Sequence, residues 1–163
     1  MIYLLVSNLL LLAAIKVFTL EPKTVSGNGD PGLLFIFIFI PMAIWFGLQW
    51  VETITKFSLK LSTKIIISLL SILLFTYGIH YEKVIINIFL NTFNSFAAGK
   101  YADPVIQANF IRASTRGLTI YTNTLYFNIV TFLMYIGLLN MIAVITVSIN
   151  QRENSQEESN EKI

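Results

Sequence analysis

Residues 125–149 read LYFNIVTFLMYIGLLNMIAVITVSI and hold no charged side chain. At about 1.5 Å of rise per residue, a helix of this length exceeds the ~30 Å hydrocarbon core of a bilayer, so the stretch predicts a tilted transmembrane helix. Working outward, three further apolar blocks follow the same logic. Residues 2–20 are apolar apart from a few small or polar side chains and Lys16, one turn from the end. No basic region precedes that block and no small-residue cleavage site follows it, so it reads as a retained span rather than a signal peptide. Residues 32–51 begin after Asp30-Pro31, a start signal that combines an amide-capping carboxylate with a proline at the first helical position. Pro41 lies within this span, where it removes one backbone hydrogen bond, and Trp50 fits an anchor at headgroup level. Residues 65–81 form a shorter apolar core. The apolar stretch 84–96 either extends that helix or lies flat on the membrane with Asn87, Asn91 and Asn94 on one face.

Composition supports a bilayer as the solvent. Of 163 residues, 55% are hydrophobic and 12% charged, the latter about half of the ~25% usual in soluble domains. Mean hydropathy is +0.71. There is no cysteine, which removes disulfides, thiolate chemistry and iron–sulfur clusters, and a net charge of +2 without a basic stripe argues against nucleic acid. The reading is an all-α membrane protein: a four-transmembrane-helix bundle (residues 1–150) with a partly structured loop between helices 3 and 4, and a disordered polar tail over 151–163. In that loop, 105–113 suggests a short helix, with Ile106, Phe110 and Ile111 toward the membrane, and 117–122 a short strand.

An even number of spans puts both termini on one side. The two sets of loops carry equal numbers of lysine and arginine, but the short 52–64 loop concentrates Lys56, Lys60 and Lys64, and short loops obey the positive-inside rule best. Both termini are therefore expected on the cytoplasmic side of a cell membrane, and the abundance of Ile, Asn and Lys fits an AT-rich bacterial genome.

Helices in lipid associate through small residues and interhelical hydrogen bonds. Ala43 and Gly47 form a small pair after Pro41. Lys64, Ser68, Ser71, Gly78 and Glu82 share an arc of the third span. Thr124, Asn128, Thr131, Tyr135 and Thr146 line up along the fourth. These stripes serve either as packing seams or as a polar pathway. Asn8, Gln49 and Asn140 read as interhelical hydrogen-bonding groups, and Lys16 as a side chain whose ammonium reaches the interface. His80 is an imidazole at a membrane edge and a potential pH-sensitive group, but Glu82, two residues on, does not share its helix face. Arg112 and Arg116, four apart, share a face if the loop helix persists and could meet lipid phosphates. No catalytic, nucleotide-binding or metal-binding signature is present, and no cofactor is expected. The Gly27–Asp30 run is a turn, not a phosphate loop.

The expected partners are the lipid bilayer and either another membrane protein or further copies of the chain. An accessory, regulatory or immunity-type subunit is the leading expectation. A small homo-oligomeric channel or transporter lined by the fourth-span stripe is the alternative. Third comes an interfacial enzyme using His80, Glu82, Asp103 and Arg112, since a motif-poor sequence names no chemistry.

Overall fold

A computed structural model describes residues 1–21, 31–57 and 59–160. The expected turn at Gly27–Asp30 and the Asp30 cap lie outside the described residues. The helices are α1 (Ile2–Phe18), α2 (Pro31–Thr55), α3 (Leu61–Lys100), α4 (Pro104–Thr115), α5 (Asn123–Tyr126) and α6 (Ile129–Asn160), and no strand occurs among the described residues. Three segments are long and apolar enough to cross a membrane: Pro31–Thr55, Leu61–Lys100 and Asn123–Asn154. The apolar α1 is shorter, at 17 residues.

Pairing of side chains gives the helix directions. Asn8 reaches Met42, and Phe18 stacks on Phe35, so α1 and α2 are antiparallel. Phe39 meets Phe132, Tyr135 reaches Ala43 and Trp50 reaches Asn140, so α2 and α6 are parallel. Lys64 contacts Gln151, Gly78 faces Met134 and Glu82 meets Asn128, so α3 and α6 are antiparallel. The helices thus alternate in direction along the chain and pack in the order α1, α2, α6, α3. Helices α1 and α3, at the two ends of this row, leave a side open.

The main core joins α1, α2 and α6. Ile15, Ile36, Phe46 and Phe132 are almost wholly buried, with Leu12, Phe39 and Leu139 around them. At its centre Tyr135 Oη donates to the Ala43 carbonyl at 2.7 Å, directly over Gly47. A Cβ at Gly47 would collide with that hydroxyl and lie 3.1 Å from Leu139, so glycine is what lets the two helices approach. Trp50, expected at headgroup level, also takes part in the α2–α6 seam. Its Nε1 donates to Asn140 Oδ1 at 2.9 Å across the same seam. The bond joins two polar groups that sequence reading had assigned to separate tasks. Helix α2 runs through Pro41 without interruption.

α3 has 40 residues, about 60 Å at 1.5 Å per residue and twice the ~30 Å hydrocarbon core. Residues 84–96 therefore extend the third helix and do not form a separate surface helix. Asn87, Asn91 and Asn94 are exposed, while Phe89, Phe93 and Ala97 are buried. Helix α6 likewise continues to Asn160, where a disordered tail is expected from sequence. The stretch after Asn150 is rich in Gln and Glu, residue types that sustain a helix already begun, and holds no Gly or Pro to end it before Asn160.

Enlarging Gly47 tests the α2–α6 seam. Gly47→Leu should lower stability by about 1–3 kcal/mol through overpacking, whereas Tyr135→Phe should cost only about 0.6 kcal/mol, the usual worth of an interhelical hydrogen bond in lipid. Reversible unfolding of the detergent-solubilised protein in a strongly denaturing detergent would measure both.

Candidate functional site

The open side between α1 and α3 is a groove of about 860 Å³, within the ~300–1,000 Å³ range of ligand sites. Leu9 and Leu12 of α1, Ile85 and Phe89 of α3, and Leu125 and Val130 near the start of α6 supply its apolar surface. Lys16, Glu21, Tyr81, Thr124 and Asn128 supply its polar groups.

The Asn128 side chain organises the inner wall. Its Oδ1 accepts from the amides of Val130 at 2.7 Å and Thr131 at 3.0 Å, while Thr131 Oγ1 accepts from the Asn128 amide at 3.1 Å. This reciprocal pattern satisfies the free amides that begin any helix. Asn128 is thus the cap of α6, not a residue midway along it. The amide nitrogen Nδ2 donates to Glu82 Oε1 at 2.8 Å, tying the cap to α3. The stripe expected from Thr124 to Tyr135 is therefore broken, because the chain changes phase at Phe127–Asn128. Asn128 borders the α1–α3 groove. Thr131 and Tyr135, with Ala43, border a separate depression of about 210 Å³ between α2 and α6.

A small cap closes the groove at one end. Phe93 is fully buried and stacks on Phe89 and Phe110, with Tyr121 edge-on. Asp103 starts α4 by accepting from the Val105 amide at 2.7 Å, as an N-cap carboxylate does. Phe110 and Ile111 of α4 turn toward this cluster, and Ile106 is exposed. The Lys100 ammonium lies 5.7, 5.3 and 5.4 Å from the ring centres of Phe96, Tyr101 and Phe110, a cation–π cluster that covers the aromatic edge. The segment 117–122 is a folded turn, not the expected strand. Gly117 has φ +75°, a left-handed turn conformation that glycine adopts without a steric cost. Thr122 Oγ1 then donates to the Gly117 carbonyl at 2.6 Å, and Thr119 Oγ1 donates to that of Ser114 at 2.8 Å. These hydroxyls occupy backbone groups that a strand would need. The Leu20 amide donates to the Ile120 carbonyl at 2.8 Å, which straps the end of α1 to this turn.

Most of the α3 arc faces α6. Ser71 is buried and donates to the Ile67 carbonyl, Gly78 lies against Met134, and Ser68 is half-buried. His80 is exposed on α3, and Arg112 is exposed on α4. Arg116 follows α4 in an extended conformation and so does not continue the face of Arg112. The set His80, Glu82, Asp103 and Arg112 is divided among these separate tasks. No group of three or more His, Cys, Asp or Glu that could hold a metal occurs among the described residues. Asn8 is buried and donates to the Leu4 carbonyl at 2.8 Å and, at 3.5 Å, to that of Met42 on α2. Gln49 is exposed. Sequence reasoning missed Tyr81, Leu9 and Phe89 as groove residues. The legible signal that went unread was the Asn-x-x-Thr spacing of Asn128 and Thr131, which marks a helix start.

No family model, curated protein or solved structure matches the chain. Asn128→Ala should destabilise the protein by about 0.5–2 kcal/mol through loss of the cap. It should also speed amide exchange at Val130 and Thr131 while leaving Trp50–Asn140 contacts intact, which hydrogen-exchange mass spectrometry would resolve.

Proposed function

We propose that this chain is a multi-pass accessory subunit of a membrane system, one that packs against a partner membrane protein to regulate it or protect against it, as an immunity-type protein does. One observation carries the reading: the polar side chains at the α2–α6 and α3–α6 seams are engaged within the chain itself. Tyr135 reaches Ala43, Trp50 reaches Asn140, and Asn128 caps α6 and meets Glu82. A polar pathway needs such groups facing water. Meanwhile α3 presents Ile66, Leu70, Leu73 and Tyr77 outward, and α4 presents Val105 and Ile106, apolar surface of the kind that marks interaction with lipid or protein.

In this reading all four long helices cross a bacterial cell membrane, the shorter α1 included. Local thinning of the bilayer can accommodate a short span. The alternation of helix direction supports placing both termini on one side, and the lysine-rich 52–64 loop supports the cytoplasm. The α4 cap would then stand on the opposite face. A homo-oligomeric channel is less well supported, since Asn128 and the Thr131–Tyr135 pair border separate depressions. An interfacial enzyme is less well supported because Asp103 already caps α4 and Glu82 is held by Asn128.

Purification of the tagged chain in mild detergent tests the proposal. The expected result is a stoichiometric second membrane protein, whose recovery falls when exposed Val105 and Ile106 are both changed to Asp. A partner-free oligomer of defined mass that conducts ions in liposomes, with flux lost in Thr131→Leu, would replace this reading with the channel.

A further inference from the structure

We propose that the groove between α1 and α3 is a binding site for one phospholipid, with the lipid phosphate at the Lys16 ammonium and an acyl chain along Leu12 and Leu9. The inference does not need the accessory role, but it rests on the reading above in which α1 crosses the bilayer.

Dimensions give the first argument. From Leu9 to Val17, α1 lines the groove over about 12 Å at 1.5 Å per residue, and the extended Thr19, with Leu20, continues it, which matches the ~15 Å depth of one leaflet. Position gives the second. The pairings Phe18 with Phe35 and Glu82 with Asn128 put Lys16, Tyr81 and Asn128 at about one level, near the start of α2. Leu9 and Leu12 lie deeper, toward the middle of α2, where Asn8 meets Met42. Polar groups thus stand at headgroup depth with Leu9 and Leu12 below them, the order of a phosphate and its acyl chain, while Ile85 and Phe89 lie on the other side of that level, toward the cap.

Charge gives the third argument. Lys16 is exposed at the groove, and no ion pair engages it among the described residues. A lysine at this depth seeks an anionic oxygen, and a lipid phosphate supplies one. Glu21 also borders the groove, so recognition rests on the phosphate itself and not on the net charge of the lipid. The strap from Leu20 to Ile120 ties α1 to the turn that carries Tyr121 at one end of the groove, which leaves the gap between α1 and α3 as the lateral way in from the leaflet.

A partner helix fits less well. Close helix approach in lipid relies on small residues, and here Gly47, Gly78 and Gly137 are already used against neighbouring helices. The groove instead offers Leu, Ile and Phe side chains, which suit a flexible chain.

The test is native mass spectrometry of the delipidated full chain, titrated with dioleoyl phosphatidylethanolamine and, separately, with dioleoylglycerol. One phosphatidylethanolamine should bind saturably, and dioleoylglycerol, which lacks the phosphate, should bind more weakly. Lys16→Gln should weaken phospholipid binding about fivefold, the worth of one lysine near a lipid surface, and Lys16→Arg should restore it. Leu9→Trp, which fills the groove from a partly exposed position, should displace the lipid without lowering the unfolding midpoint. Equal binding of the two lipids, or unchanged binding in Lys16→Gln and Leu9→Trp, would overturn the proposal. So would a photocrosslinker at position 9 that captures, in native membranes, a protein and no lipid.

Discussion

The hydrogen bond from Tyr135 to the Ala43 carbonyl, made across the space that Gly47 leaves, governs how α2 and α6 meet. In an apolar surrounding a phenol hydroxyl has no water to turn to, so it takes a backbone carbonyl that remains accessible. That requires the helices to be close, and closeness requires glycine. Phe46 and Phe132 then pack beside the bond, and Trp50 with Asn140 repeats it one to two turns along. Helix α6 is thereby placed so that its other side can receive α3.

The α3–α6 seam is built differently. It has no large buried apolar cluster of its own. Gly78 lies against Met134, a Cβ on Gly137 would sit 3.4 Å from the Ser71 carbonyl oxygen, and the two ends are held by Lys64 with Gln151 and Glu82 with Asn128. Contact between small residues allows dispersion forces along the seam, and polar contacts at either end set its register. The consequence is a helix with much of its surface outward, which continues past the apolar region to support the aromatic cap.

The α1–α3 gap follows from those two seams. Helix α6 is joined to both α2 and α3, and α1 is joined to α2, so the row ends with α1 and α3 facing a shared space. Asn128 matters twice there: it begins α6, and through Glu82 it holds the groove's inner wall to α3. The proposed accessory role and the proposed lipid site draw on different parts of this arrangement, the outer apolar faces in one case and the open side in the other.

Much was legible in the amino-acid order alone. Uncharged length marked residues 32–51 and 125–149 as helices able to cross a bilayer, and helical spacing put Ser68, Ser71, Gly78 and Glu82 on one arc of α3, because both depend on local periodicity; whether that arc packs or lines a pathway was not legible. Ala43 and Gly47 were visible as a close-approach pair for the same reason. Residues 84–96 could not be assigned, since an amphipathic helix looks the same whether it lies on lipid or packs under α4. Asn128 was misplaced because an apolar run hides a break in helical phase unless the cap's partners are known. The order α1, α2, α6, α3, the open side and the meeting of Lys16, Tyr81 and Asn128 around it were decided only by tertiary structure. Each depends on which seam closes against which, and in an apolar solvent many pairings bury similar surface, so the choice falls to a few glycines and hydrogen bonds far apart in sequence.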